Sequence, residues 1–189
     1  MDVKISKSDL NRAERMLSGI KSGFPKAFKR TLDKTASGSK TDLVAFVRER
    51  YNYKAKVLRE RITVYKCPSY KHLNSSVRSV GPGVHLTDIA QTRQTGRGVT
   101  VNVKKATGRK LIPHAFIAPG RHSGKKIVFI RETVQGKRVS RYPISPIYAS
   151  HPEVIYNTDE NWPKIEKQAD TRFRKNFDHE VEVVLKGIA

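Results

Sequence analysis

Seven apolar residues near the C-terminus, Ile165, Ala169, Phe173, Phe177, Val181, Leu185 and Ile188, recur at intervals of three or four. On a helix they make one continuous stripe, and such a stripe has to be buried against another element. Asn161 suits the N-cap of this helix, and Pro163 is tolerated in its first turn. Asp159 and Glu160 lie where the positive end of the helix dipole favours anions. The N-terminal third supplies matching stripes. Leu10, Ala13, Leu17 and Ile20 predict a helix over residues 8–21, with Ser8 as N-cap and with Gly19 and Gly23 weakening its far end. Pro25 then opens a second helix, in which Phe28, Leu32, Ala36, Leu43, Phe46 and Val47 keep the helical rhythm to about Arg50. Unbroken, it spans about 39 Å. Gly38 costs about 1 kcal/mol relative to alanine inside this run but does not have to break it. Lys54 to Arg61 reads as a further short basic helix.

After residue 62 the period becomes two. Ile62 and Val64, then Val99, Val101 and Val103, alternate with polar residues as half-buried strands do. Gly81-Pro82-Gly83 and Gly96-Arg97-Gly98 mark turns. Leu111 to Ile117 and Lys126 to Arg131 are two more strands, with a loop at 119–124 between them. Gln135-Gly136-Lys137 closes a hairpin before a strand from Arg138 to Ile144. Helices, then strands, then a helix predict an α+β fold. The expectation is a single domain over 1–189, with a helical part (1–61), a basic β part (62–150) and a C-terminal helix (151–189). The centre is a mostly antiparallel sheet with basic loops.

Charge constrains function more than any motif does. The chain has 38 Lys+Arg against 17 Asp+Glu, a net +21 over 189 residues. Residues 67–150 carry 15 basic side chains and only two acidic ones, Asp88 and Glu132, whereas residues 151–189 carry 6 basic and 8 acidic. A charge spread only for solubility would not be partitioned this way, so the middle faces something anionic. Nucleic acid is the first candidate, since each neutralised phosphate releases counterions. An acidic protein neighbour and a merely solvated basic face are the alternatives. Hydrophobic residues make up 37%, low for a free-standing globule, which favours burial against partners. No run approaches the roughly 18 apolar residues of a membrane span, and Met1 to Ser6 form no apolar signal segment. Neither a membrane nor a secretory route is expected.

Catalytic patterns are sparse. Pro119 to Lys126 imitates a phosphate-binding loop, but Pro119 stands in place of the first glycine and Lys126 in place of the magnesium-binding hydroxyl. A strand-like Ile127 to Ile130 follows where such a loop needs a helix. The six histidines (72, 85, 114, 122, 151 and 179) are scattered, and His85 and Asp88, on one strand, would point to opposite faces. The single cysteine, Cys67, excludes an internal disulfide and reads as an idle thiol rather than a reactive one. With so few acids in the basic middle, paired carboxylates for proton transfer or metal binding are missing. The reading is therefore no enzyme, no cofactor, no metal and no small-molecule substrate. Tyr51, Tyr53, Tyr65 and Tyr70 interleave with Lys54, Lys56, Arg59, Arg61, Lys66 and Lys71. That mixture can stack bases and neutralise phosphates, or equally pack at a domain edge with the cations snorkelling.

Two segments carry a family resemblance. Arg109-Lys110-Leu111-Ile112-Pro113-His114-Ala115-Phe116-Ile117 is followed by a strand, the hairpin Gly136-Lys137-Arg138, and Arg141-Tyr142-Pro143-Ile144. In this order, with the helical N-terminal third and the closing helix, the chain resembles the minor tail protein Z family of long-tailed bacteriophages, the tail completion proteins. His114 departs from the pattern, which favours a small residue, typically glycine, at that position; residues 67–98 also match poorly. The resemblance implies a structural virion protein at the head-proximal end of the tail, made in the host cytoplasm. It would complete the tail for head–tail joining and for positioning of the genome DNA. Implied partners are tail terminator, tube or connector subunits and further copies of the chain in a ring. The expected DNA-facing or partner-facing surface is Arg109, Lys110, Arg121, Lys125, Lys126, Lys137, Arg138 and Arg141. The rival expectation is a ribosome-associated or other sequence-nonspecific nucleic-acid-binding protein.

Overall fold

The computed structural model describes residues 7–120, 124–131, 133, 134, 137, 138 and 143–187, with the backbone alone described at 7–9, 133, 134, 137 and 138. The chain runs through α1 (Lys7–Leu17), α2 (Gly23–Arg50), α3 (Ala55–Arg61), β1 (Ile62–Tyr65), β2 (Ser76–Ser79), β3 (Val84–His85), β4 (Arg93–Thr95) and β5 (Gly98–Val101). It continues through β6 (Lys110–Pro113), β7 (Ala115–Pro119), β8 (Lys126–Arg131), β9 (Thr133–Val134), β10 (Lys137–Arg138), β11 (Ile144–Pro146), β12 (Tyr148–Ala149), α4 (Pro152–Tyr156) and α5 (Trp162–Leu185). The fold is α+β, as the change of period predicts. Every strand pairing among the described residues is antiparallel, and the strands divide among five small sheets of two or three. The fold holds two compact units. The first comprises Met1–Val44, Ile62–Val80 and Tyr156–Ala189, the second Ala45–Arg61 and Gly81–Ile155.

The first unit is built on helices. Ala13, Leu17, Ala27, Phe173, Phe177, Val181 and Val184 form its core, with Leu10, Phe24, Phe28 and Leu32 packed against it. Phe28 meets Phe173 and Phe177 edge-on, with centroids 6.0 and 6.1 Å away, and Phe173 stacks on Phe177 at 5.8 Å. These are the offset and T-shaped geometries that ring quadrupoles favour. The C-terminal stripe is therefore buried as far as Val184; its last predicted member, Ile188, lies outside the described residues. Along the first unit's part of α2, the buried row is Ala27, Thr31, Thr35, Ser39 and Leu43, one residue every fourth position. Small side chains let another backbone approach closely, and their hydroxyls are satisfied nearby. Thr31 Oγ1 donates to the Ala27 carbonyl at 2.8 Å, and Asn176 Nδ2 donates to Thr35 Oγ1 at 3.0 Å. Gly38 has its own reason. A Cβ there would lie 2.5 Å from Arg172 Cδ, so the glycine opens the path along which Arg172 reaches both carboxylate oxygens of Asp42, at 2.8 Å each from Nη2.

In the second unit the buried side chains include Val47, Tyr53, Leu58, Val84, Ile89, Val99, Val101, Ala115, Val128 and Ile155. In one three-stranded sheet β5 lies between β4 and β6; in another β8 lies between β7 and β11. A Cβ at Gly98, where φ is +148°, would sit 2.2 Å from the Ile112 carbonyl oxygen. Only glycine permits β5 and β6 to come that close. Asn52 ties the end of α2 to β5, donating its backbone N–H to Val103 O at 2.9 Å and its side-chain amide to Asn102 O at 3.0 Å.

Three local expectations change. The first helix stops at Leu17 rather than reaching Lys21, because Ser22 adopts φ +58° and the chain turns between the helices. The strand expected over Leu111 to Ile117 is two strands, β6 and β7, broken at His114, whose φ is +62°. Asn161 occupies the N-cap position of α5 but has helical dihedrals and makes no side-chain cap; backbone bonds from Asn161 N and Trp162 N to Thr158 O, 3.0 and 2.9 Å, organise that turn instead.

Candidate polyanion-facing surface

The second unit holds 19 of the Lys and Arg residues and only 5 acids, a net +14; the first holds 19 and 12, a net +7. Between Asp88 and Glu132 no acid occurs at all. The connection from β5 to β6 concentrates the excess, with Lys104, Lys105, Arg109 and Lys110 all exposed within seven residues. A 3-10 turn, Lys105–Thr107, shapes it. Thr107 N donates to the Lys104 carbonyl at 3.2 Å, while Tyr51 pairs with Lys104 as an antiparallel bridge. The Lys104 ammonium stands 5.9 Å from the Tyr51 ring centroid. The cluster is thus anchored through its backbone while its charged tips reach solvent. On the adjoining sheet the register sets Thr100 opposite both Arg93 and Leu111. Leu111 is 45% exposed on that outer face.

Lys125 and Lys126 belong to a second cluster. Pro119 pairs with Lys126 across the β7–β8 hairpin, and Gly120 N donates to the Lys125 carbonyl at 2.8 Å. Lys126 opens a strand, so the loop lacks the helix whose amides would hold a nucleotide phosphate. Lys54, Lys125 and Lys126 line a cleft of about 540 Å³ with His85, Thr87, Asp88, Thr92 and Ile117. Its walls are cross-linked. Lys54 Nζ donates to Thr87 O at 2.7 Å, Thr87 Oγ1 to Lys126 O at 2.6 Å, and Thr92 Oγ1 to Leu86 O at 2.6 Å. His85 and Asp88 do not share a strand; His85 ends β3, Asp88 closes a 3-10 turn, and both border one cleft. No group of three or more metal-ligating side chains occurs among the described residues.

Of the eight residues singled out from sequence, the structure thus places Arg109 and Lys110 in one cluster and Lys125 and Lys126 in another, on different sheets. Lys137 and Arg138 lie on β10, paired to β9, where the backbone alone is described, and Arg121 and Arg141 fall outside the described residues. Sequence reasoning passed over Lys104 and Lys105 and placed Lys54 only in the tyrosine-rich mixture, apart from Lys125 and Lys126. The signal that would have found the two lysines on the β5–β6 connection is the acid-free run itself, which spans that connection and reaches Lys125 and Lys126.

The comparison with known families comes down on one match. The family model for prophage minor tail protein Z (GPZ) matches residues 8–188. The chain belongs to the prophage minor tail protein Z family. No curated protein and no solved structure gave a match. Membership makes the chain a phage tail component with a structural role, found in the virion. At the β6–β7 junction His114 holds a left-handed backbone that a glycine would supply without cost.

The tyrosines divide between the units. In the second, Tyr53 is buried and its hydroxyl donates to Ser150 O at 2.7 Å; burial, and then the neighbouring Tyr51, push its pKa up. It therefore serves packing. In the first, Tyr65 and Tyr70 are 48% and 49% exposed. Cys67 is buried beside them in sequence, with Sγ 3.3 Å from Ser75 Oγ, a packed thiol rather than a nucleophile.

Proposed function

We propose that this minor tail protein acts at the head-proximal end of a long tail, where it completes the tail and makes it competent to join a filled head. The observation that carries this reading is the family match over residues 8–188. The two units work as one tail-completion domain whose copies associate head-to-tail in a ring, the arrangement a rotationally symmetric tube demands. Its neighbours are tail terminator, tube or connector subunits. The basic clusters of the second unit, Lys104 to Lys110 and Lys54 with Lys125 and Lys126, face the genome DNA or an acidic surface of such a neighbour. Contact with DNA is sequence-blind, because among the described residues the surface offers cations for phosphates and no built reader of base edges. Its role is mechanical, without catalysis.

The test is mass spectrometry of gradient-purified particles, with heads and tails separated. The expected result is the chain in the tail fraction at low, ring-like stoichiometry, and tails made without it that assemble to full length yet fail to join heads. Absence from particles, with co-sedimentation on host ribosomes or nucleic acid, overturns the reading in favour of a free nucleic-acid-binding protein.

A further inference from the structure

The β1–β2 hairpin stands out from the rest of the first unit. Among the described residues, seven lysines and arginines of that unit are paired to carboxylates, but residues 62–80 carry Lys66, Lys71 and Arg78 and no acid. The register pairs Tyr65 with Ser76 and Thr63 with Arg78, so Tyr65 and Arg78 share one face. The Arg78 guanidinium lies 5.4 Å from the Tyr65 ring centroid, held there by the ring quadrupole. Beyond the strand, Lys66, Tyr70, Lys71 and His72 are all exposed.

The loop that carries them is held at its neck. Asp33 on α2 accepts from Cys67 N at 2.8 Å and Ser75 Oγ at 2.6 Å through Oδ1, and from Lys29 Nζ at 2.8 Å through Oδ2. Lys29 Nζ also donates to the Cys67 carbonyl at 2.8 Å. Within the loop, Lys71 N and His72 N both donate to Ser69 Oγ at 3.3 Å. A segment without regular structure is thereby set in one conformation, which lowers the ordering cost of binding. Its composition selects the ligand. Lysine is depleted from protein–protein interfaces, whereas lysines beside exposed aromatic rings, with no carboxylate near in sequence, suit a phosphodiester chain.

We propose that the β1–β2 hairpin is a second nucleic-acid contact, in which Lys66, Lys71 and Arg78 neutralise backbone phosphates and Tyr70 offers its ring to an unpaired base. The contact is a property of the isolated chain and does not depend on the tail assignment.

The test is fluorescence anisotropy of the full chain with a labelled DNA duplex and a labelled single strand of equal length, over a series of salt concentrations. Replacing Lys66, Lys71 and Arg78 by Gln is expected to lower the slope of log affinity against log salt on the duplex by about 2–3, close to 0.9 for each phosphate no longer neutralised. Tyr70→Ala is expected to weaken the single strand about tenfold and to leave the duplex unchanged. Should the triple variant fold poorly by circular dichroism, Lys71→Gln alone is expected to cost roughly one unit of slope. A wild-type slope in the hairpin variants, with the slope reduced instead on replacing Lys104, Lys105 and Arg109, overturns the proposal. So does equal binding of polyglutamate that the same hairpin variants abolish, since that identifies an acidic protein as the partner. Neither result touches the particle measurement that tests the tail role.

Discussion

In the first unit 19 cations share the structure with 12 carboxylates, and in the second 19 face 5. The carboxylates of the first are placed to be used. Glu180, 1% exposed on α5, is held by Lys34 and lies 3.9 Å from Arg30; Asp42 receives Arg172, and Asp33 receives Lys29. Each joins α2 to another segment or braces α2 itself. In the second unit the polar bonds that join elements run mainly to the backbone, as from Asn52, Lys54, Thr87 and Thr92, and cations such as Arg93, Lys105, Arg109 and Lys110 stand exposed at the surface. Charge therefore supports the fold in one unit and is presented outward in the other. A residue's sign alone does not tell which; the presence of a carboxylate in reach does.

The strongest disturbance of the first unit is apolar rather than ionic. Phe173, 1% exposed, touches the aromatic group at its centre, so Phe173→Ala is expected to cost about 3–5 kcal/mol through reduced burial and the cavity left behind. Urea titration followed by the fluorescence of Trp162, the single tryptophan, which opens α5 in the same unit, measures it. A loss below about 1 kcal/mol would mean that the helical core does not set that unit's stability.

Next in size comes the ionic comparison itself. Lys34→Met leaves the buried Glu180 carboxylate with Arg30 alone, and removal of the charged hydrogen bond is expected to cost about 1.5–3 kcal/mol. The matched change in the second unit, Arg109→Gln with Lys110→Gln, removes two exposed cations and is expected to stay within about 0.5 kcal/mol. Equal losses by the same denaturation assay would erase the distinction between charge that holds a fold and charge that faces outward.

Acid titration sharpens the same contrast. Burial raises the Asp33 pKa, but the hydrogen bonds from Lys29, Ser75 and the Cys67 amide outweigh it and hold the carboxyl below its ordinary value of 3.8. A depressed pKa contributes stability that is complete above the unfolded value and is lost as pH falls through the folded one. Denaturation midpoints of the wild type are therefore expected to fall more steeply below about pH 4 than those of Asp33→Asn. Parallel curves would mean that the loop at 66–75 is held by something other than this carboxylate.

How much of this the sequence discloses follows from what each interaction looks like in one dimension. The α5 stripe is plain because large apolar residues fall at helical spacing. The facing row on α2 is hidden, since Thr31, Thr35 and Ser39 score as polar although all three are buried. Their smallness suits a close approach, and their hydroxyls find partners that the sequence does not announce, Thr31 the Ala27 carbonyl and Thr35 the Asn176 amide. Gly38 looks like a defect until Arg172 is seen lying across it. The basic surface is legible as composition, through the acid-free run, but its division into two clusters depends on strand pairing between Val101 and Lys110 and between Pro119 and Lys126. Register of that kind is set by long-range packing and leaves no local mark. Asp33 meets Cys67 and Ser75 across more than thirty residues, beyond any spacing rule.

The one change expected to stabilise the fold lies in the second unit, at the junction of β6 and β7. His114 N donates to Arg97 O at 3.3 Å, and the residue is exposed, so its side chain does little to offset the cost of φ +62°. An L-residue in this region costs about 1–2 kcal/mol, of which the greater unfolded-state entropy of glycine takes back about 0.4–1 kcal/mol. His114→Gly is accordingly expected to stabilise the protein by up to about 1 kcal/mol, read as a rise in the denaturation midpoint, with DNA affinity unchanged. A destabilised variant would instead assign the imidazole a contact that matters, and would make the departure from glycine at this position a feature of the surface that faces the partner rather than a tolerated strain.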